Sequence, residues 1–520
     1  MGISKFCNEP FTDFTDKKNR KAFEKALEDI QKRFTNEYPL VINGEKVYSD
    51  NKLRSYNPSN PEQIIGTFQK ASVEQALGAV EKAHAKFSEW KNVSPKKRAD
   101  FLFKAAKIMR KRKHLFSAMM TYEVGKNWAE ADGDTAEAID FMEFYAREML
   151  RYGKEQPVTK IHGEKNKLEY LPLGVGLVIP PWNFPLAILA GMTTASIVTG
   201  NTVVLKPSSD SPAIAQMFVE LMEEVKLPAG VLNFVTGGGS SIGDVLVQHH
   251  LIRYISFTGS MEVGLRINEL AAKNQPSQIW LKRVIAEMGG KDTMIIDKEL
   301  YDFDDAVNGT IQAAFGYQGQ KCSACSRVVV DESIYDKFCE SLALRASALR
   351  VGDPWLNPNM GPVINNGSKE KISDYIAKAA EEGGKIIHGG NSLSRPGHFI
   401  EPTIIKDVKP DDTISLEEIF GPVLAVIKSK NFNQSLEIAN NTMYGLTGAV
   451  YSSNKKHIEK ADKEFFVGNL YMNRKCTGAL VGVHPFGGFN MSGTDSKAGG
   501  RDYLLLFMQA KLTSKKIIKK

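Results

Sequence analysis

Residues 201–239 read "NTVVLKPSSDSPAIAQMFVELMEEVKLPAGVLNFVTGGG". A short apolar run opens the stretch at "NTVVLKP" (201–207). A helical pattern follows at "SPAIAQMFVELMEEV" (211–225), and a second apolar run closes it at "VLNFVTG" (231–237). Strand, helix and strand in that order form the βαβ unit of a parallel sheet. The same texture lies on both sides of it. "GVGLVIP" (174–180), "IRYISFTG" (252–259) and "DTMIID" (292–297) are further short apolar runs between helix-like segments. A second alternating series runs through "CSRVVVDESI" (325–334), "GPVLAVIKSK" (421–430) and "GNLYMNRK" (468–475). The pattern predicts an α/β chain with a doubly wound, Rossmann-like sheet and a second α/β part starting near residue 291.

The first third has a different texture. Phe23, Leu27, Ile30 and Phe34 recur at helical spacing, as do Val73, Ala76, Leu77, Val80, Ala83 and Phe87. Ser94 can cap a third helix and Pro95 suits its first position. This part is expected to be largely helical. The last stretch, "RDYLLLFMQAKLTSKKI" (501–517), reads as an extended segment that needs a sheet edge. An exchange of strands between subunits would supply one, so a homo-oligomer is expected.

Composition narrows the function. The chain has 520 residues, which predicts two or three domains. Its net charge of +7 comes from 67 basic against 60 acidic residues, a mild excess. The one concentrated basic run, "KLTSKKIIKK" (511–520), has no interleaved aromatics and reads as a solvated tail rather than a nucleic-acid surface. No apolar run is long enough to span a bilayer, and the start lacks the apolar core of a signal peptide. Phe6 breaks the myristoylation pattern after Met1–Gly2. The five cysteines (Cys7, Cys322, Cys325, Cys339 and Cys476) are odd in number and scattered, which points to reduced thiols and a cytoplasmic setting.

Cys322 and Cys325 sit within "GYQGQKCSACSR" (316–327). Their C-x-x-C spacing admits half a metal site, a redox pair, or one nucleophile beside a bystander. No clustered partners complete a zinc set, so no metal is expected. A pyrophosphate fingerprint G-x-G-x-x-G is also absent. What remains are Gly237–Gly239 after one strand and Gly259, Ser260 and Gly264 after the next. Both suit the phosphate-cradling start of a helix.

Five segments taken in order carry more. They are "PPWNFP" (180–185), "FTGS" (257–260), "AEMGGKD" (286–292), "GQKCSACSR" (319–327) and "EEIFGPV" (417–423). As a set, over nearly the whole chain, they resemble the aldehyde dehydrogenase superfamily. "NRKCTGALVG" (473–482), "PFGGFNMSGTDSKAGG" (485–500) and "AEAIDFMEFYAREM" (136–149), with "NEPFTDF" and "YPLVINGE" near the start, resemble one branch of it. That branch oxidises L-glutamate γ-semialdehyde, the open form of 1-pyrroline-5-carboxylate, to L-glutamate in proline or arginine breakdown. A dehydrogenase of another ω-semialdehyde and an inactive structural relative are the alternatives.

The resemblance implies roles residue by residue. Cys322 would be the nucleophile, because hydride leaves only from a tetrahedral adduct. Asn183, with the backbone N–H of Cys322, would donate to the oxyanion. Glu287 would be the base that activates water against the thioester. Lys206, Ser209, Gly259, Ser260, Glu418 and Phe420 would hold the cofactor. NAD is expected, and Ser209 leaves NADP open because many NAD-preferring relatives carry Glu there. Ser323, Gly478 and Ala479 would bind the distal carboxylate, Glu137 would face the substrate amine, and Phe184 and Phe486 would wall its chain. The resemblance also implies a cofactor-binding part at 1–155 and 175–290, a catalytic part at 291–475, and an oligomerisation element at 156–174 and 490–520. A separate proline dehydrogenase is the partner enzyme it suggests. His484 and Arg501 depart from the family's usual Gln and Pro. Cys325 is expected to be a packing residue, with the liability of an oxidised Cys322–Cys325 pair.

Overall fold

The computed structural model describes residues 4–518. The Met1–Gly2 start and residues 519–520, where the expected oligomerisation element ends, lie outside the described residues. Two seven-stranded sheets organise the chain. The first runs in the order Arg283–Glu287, Ile252–Thr258, Val175–Ile179, Thr202–Leu205, Leu232–Phe234, Leu40–Ile42 and Glu45–Val47. Its first five strands are parallel, Leu40–Ile42 runs against them, and Glu45–Val47 pairs antiparallel with Leu40–Ile42. The second takes its strands from 292–472, all parallel except the edge strand Lys385–His388.

The sheets are covered on both faces, as near-continuous apolar strands require. Val204 points into one layer with Val80, Ala83 and Leu246. Its neighbours Val203 and Leu205 point into the other, with Phe141, Leu189 and Phe218. The period of two thus sorts one strand's side chains between two helix layers. The helix Val73–Trp90 begins with a capping box between Ser72 and Gln75. In Pro95–Lys111, Ser94 caps and Pro95 leads, as expected from the sequence.

Two expectations need correction. The first third is not uniformly helical: residues 37–69 contain five strands. Leu40–Ile42 and Glu45–Val47 form a hairpin closed by Asn43 and Gly44, both at positive φ, a two-residue turn that matches strand twist. The segment 501–517 is extended only from Met508 to Lys516, and Tyr503–Phe507 coils into a short 3₁₀ turn. Tyr503, Leu504 and Phe507 are buried there, and Tyr503 stacks on Tyr145 at 5.4 Å, so side-chain burial overrides the extended pattern. The sheet edge it needs is in its own chain. Met508–Lys516 pairs antiparallel with Glu164–Pro172 in an unbroken register from Met508–Pro172 to Lys516–Glu164.

Gly176 shows how tightly the first sheet is built. It lies opposite Tyr254 on the neighbouring strand, and a Cβ there would overlap the fully buried Tyr254 ring. Gly176→Ala is expected to destabilise the protein by about 1–3 kcal/mol, the usual cost of overpacking. Thermal melting would read it, and an unchanged midpoint would contradict the packing argument.

Candidate active site

The site lies where the carboxyl ends of the first sheet's strands meet the start of the second sheet. Thr258 and Glu287 are register partners at the ends of adjacent parallel strands. After Thr258 the chain turns through Gly259 and Ser260 into the helix Met261–Ala272. Gly259 N–H donates to the Glu287 carbonyl at 3.1 Å. Ser260 is exposed and caps the helix through Val263 N–H. The helix therefore presents its N-terminus to solvent beside Glu287, a ready site for an anion.

The Glu287 side chain is enclosed by a loop from the far end of the chain. Met288 N–H donates to the Ser492 carbonyl at 2.7 Å and Thr494 N–H to the Ala286 carbonyl at 2.9 Å, which sets Glu287 opposite Gly493. A Cβ on Gly487 would stand 2.9 Å from Glu287 Oε1, so glycine lets the loop close over the carboxyl. Oε1 accepts from the Ser496 hydroxyl, while Oε2 is buried without a partner among the described residues. Burial pushes the carboxyl up to about 8, against the Ser496 bond and the Lys497 charge, which pull it down. A carboxyl near neutrality with one free oxygen is suited to taking a proton.

Cys322 arrives on a bent loop. Tyr317, Gln318 and Gly319 all have positive φ. The two non-glycine residues hold that backbone through bonds elsewhere. Tyr317 O–H donates to the Val124 carbonyl at 2.9 Å, and Gln318 Nε2 donates to Gly125 (3.1 Å) and Pro362 (2.8 Å). Asn183 is buried, and its Nδ2 donates to the Gln320 carbonyl at 3.1 Å, beside the nucleophile's turn. Cys322 is half-buried. Burial, then the charges of Asp292, Glu418 and Glu287, hold its thiol well above the ordinary value, while its own backbone N–H pulls the other way. The resting nucleophile is thus a thiol, with Glu287 among the groups whose field it feels.

The expected cofactor contacts come from both sheets. Lys206 follows the strand Thr202–Leu205 and is buried; its Nζ donates to the Pro207 carbonyl at 3.2 Å. Burial lowers its amine to about 8. Ser209 is half-buried on the next turn. Glu418 Oε1 accepts from Gly290 N–H at 2.9 Å, and burial raises its carboxyl. Phe420, at φ 61°, packs edge-on against Trp182 at 5.5 Å.

The expected substrate contacts surround the same loop. Phe184 lies over the buried Lys126 amine at 4.0 Å and meets Tyr317 edge-on at 6.3 Å. Lys126 is paired with Asp134 at 2.8 Å. Glu137 is half-buried on the helix Trp128–Tyr152. Burial and Asp134 raise its carboxyl to about 8, while Lys126 and Lys321 act against them. Lys321, next to the nucleophile, pairs with Glu130 at 2.7 Å. The Ser323 carbonyl accepts from Cys476 Sγ at 3.4 Å. That bond brings the turn at Gly478 (φ 86°) and Ala479 to the nucleophile loop. Phe486 pairs with Ala498 through two 2.8 Å backbone bonds, on the loop that carries Ser496.

Cys325 faces away from this chemistry. Its buried thiol donates to the Arg327 carbonyl at 3.3 Å, inside the second sheet's core. Among the described residues no group of three or more His, Cys, Asp and Glu is placed to hold a metal ion. No helix among them is long and apolar enough to cross a membrane. His484 Nδ1 accepts from Leu480 N–H, and Arg501 is exposed. Ser496, Lys126, Lys321 and Cys476 were not singled out by sequence. Ser496 and Cys476 lie inside quoted motifs, whereas Lys126 in "YEVGKNW" (122–128) carries no pattern of its own.

Comparison with known proteins accords with this geometry. Residues 46–513 match the model of the aldehyde dehydrogenase family. A 1-pyrroline-5-carboxylate dehydrogenase of Bacillus mycoides is 55% identical over 510 residues, covering 98% of this chain and 99% of the relative. The crystal structure of 1-pyrroline-5-carboxylate dehydrogenase from Thermus with bound NAD superposes with a TM-score of 0.98 at 46% identity, covering 99% of this chain and all of that one. Proline utilization A from Bdellovibrio bacteriovorus is similar at 44% identity and a TM-score of 0.97, covering 99% of this chain and 54% of that one. The chain belongs to the aldehyde dehydrogenase family.

Proposed function

We propose that the protein oxidises L-glutamate γ-semialdehyde to L-glutamate with NAD. The observation that carries the reading is one enclosure. A half-buried thiol on a pinned loop lies within the field of a carboxyl near neutrality, and a loop contact brings Ser323 beside Gly478–Ala479. The full-length likeness to 1-pyrroline-5-carboxylate dehydrogenases supports the substrate.

In this reading Cys322 adds to the aldehyde carbon and its proton passes to Glu287, whose field the thiol feels and whose carboxyl burial lifts to about 8. Asn183 Nδ2 keeps one N–H on the Gln320 carbonyl and offers the other to the adduct's oxyanion. Bound NAD would supply a hydride acceptor at the adduct carbon. Glu287 releases the thiol's proton to solvent and then draws a proton from water, whose oxygen attacks the thioester carbon and frees Cys322 as a thiolate that is reprotonated. Ser323, Gly478 and Ala479 take the distal carboxylate, and backbone N–H groups suit it because they add no charge. Glu137 meets the amino group, and Phe184 and Phe486 flank the aliphatic carbons.

The residues fit the dinucleotide. The Lys206 amine has only a backbone carbonyl as protein partner, and Glu418 Oε1 alone is engaged, so both have capacity for ribose hydroxyls. The free helix start at Gly259–Ser260 suits the pyrophosphate, and Phe420 would pack at the nicotinamide end. Ser209 places no carboxylate against a 2′-phosphate, which leaves NADP as a second cofactor to test. We propose further that a proline dehydrogenase supplies the substrate. The proline utilization A chain, of which this chain spans about half, supports that pairing. A homo-oligomer is also proposed.

Three outcomes are expected. Purified protein with pyrroline-5-carboxylate and NAD forms reduced cofactor, faster than with NADP, and Cys322→Ala abolishes turnover. Good turnover of another semialdehyde with none of this one would overturn the substrate. Second, the base works deprotonated, so kcat rises with pH through a limb near 8. Third, Ser496 holds the Glu287 carboxyl down, so Ser496→Ala moves that limb to higher pH. A pH–rate profile from 6.5 to about 9.5 reads both; an unmoved limb, or one shifted down, would contradict the assignment.

A further inference from the structure

The nucleophile loop and the turn at 476–479 meet through a sulfur. Cys476 is fully buried and Cys325 is 1% exposed. Both lie in the core under the second sheet, with Met294, Val328 and Tyr471. Cys476 Sγ donates to the Ser323 carbonyl at 3.4 Å, and Cys325 Sγ donates to the Arg327 carbonyl at 3.3 Å. Each thiol spends its one proton on a carbonyl, and the two share that core.

Chain connectivity gives this contact its meaning. Ser323 follows the nucleophile directly, and Cys476 leads directly into Thr477–Gly478–Ala479. Gly478 is exposed at the tip of its turn. Arg474 closes the turn on itself, through the Thr477 carbonyl at 2.9 Å and the Gly478 carbonyl at 3.3 Å. Those bonds fix the turn's shape but not its distance from Ser323. The Cys476 thiol is the buried group that bonds across that gap.

We propose that Cys476 is a positioning residue for carboxylate-bearing substrates: its thiol sets the separation between Ser323 and Gly478–Ala479, so that one distal carboxylate fits both. This rests on the functional reading above. A thiol suits the place because it packs like a small apolar group and still donates a weak hydrogen bond. Cys325 backs it by filling the space behind the sulfur. Neither thiol takes part in the chemistry at Cys322.

The test uses the full-length enzyme with Cys476→Ala and Cys476→Ser. KM and kcat are measured for pyrroline-5-carboxylate and for hexanal, which lacks a carboxylate, at saturating NAD. Loss of a weak buried hydrogen bond predicts that Cys476→Ala raises KM for pyrroline-5-carboxylate about fivefold. Its kcat should stay within about twofold, and the hexanal constants should not change. Cys476→Ser keeps a donor and should recover most of the loss. Equal losses on both aldehydes, no loss on either, or a serine variant no better than alanine would overturn the positioning role. Should the alanine variant fail to fold, the serine variant against wild type decides: a KM change confined to pyrroline-5-carboxylate supports the role, and a change shared with hexanal overturns it. Wild-type enzyme inactive on pyrroline-5-carboxylate would instead overturn the functional reading.

Discussion

A lysine cut off from water holds the site's parts in common register. Lys126 and Asp134 are both fully buried side chains, 2.8 Å apart. Removing two such charges from water costs several kcal/mol per ion, which good geometry must offset. Here the geometry is shared out. Asp134 also accepts the Ala187 N–H at 2.6 Å, at the start of the helix that follows Asn183 and Phe184. Lys126 lies over the rings of Phe184 and Tyr317, and the two residues before it accept the bonds that hold the left-handed turn at Tyr317 and Gln318. The segment with the oxyanion donor, the loop with the nucleophile and the helix with Glu137 are therefore all referred to one ion pair.

A second constraint is the concentration of acid around the thiol. Asp292, Glu418 and Glu287 all raise the Cys322 thiol, and burial raises each of the three carboxyls. Each acid makes its neighbours harder to ionise. Asp292 is engaged by Thr447 N–H at 2.6 Å, Glu418 by Gly290 N–H and Glu287 by the Ser496 hydroxyl, and Asp292 and Glu287 each keep a second oxygen buried without a partner among the described residues.

The sheets were legible because their strands are apolar, short and separated by helical patterns. The second sheet takes its first strand in chain order from Asp292–Ile296. The strand Arg283–Glu287 has an apolar core of only Val284–Ala286, and pairing with Ile252–Thr258 extends it to Glu287. The Leu40–Val47 hairpin had a readable signal in Asn43–Gly44, hidden by the helical spacing on both sides. At the site, Cys322, Glu287 and Asn183 stood out only as members of an ordered set of motifs. Ser496 and Lys126 did not, because their work is defined by what lies opposite: Ser496 meets Glu287 from 209 positions away. Such contacts are properties of the closed fold and leave little trace in local composition.

The ribbon of Glu164–Pro172 and Met508–Lys516 bears on how the chain is made. Its strands are joined by contacts such as Ser514 to Glu164, 350 positions apart. During synthesis Glu164–Pro172 emerges long before its partner, and its edge stays open while both sheets are assembled. Contacts of such separation form slowly and late. An open edge invites pairing with other chains, and charge along it discourages that. Glu164, Lys165, Lys167 and Glu169 lie along this one. The charges on the waiting strand thus protect a nascent chain, at a stage when the enzyme does not yet exist.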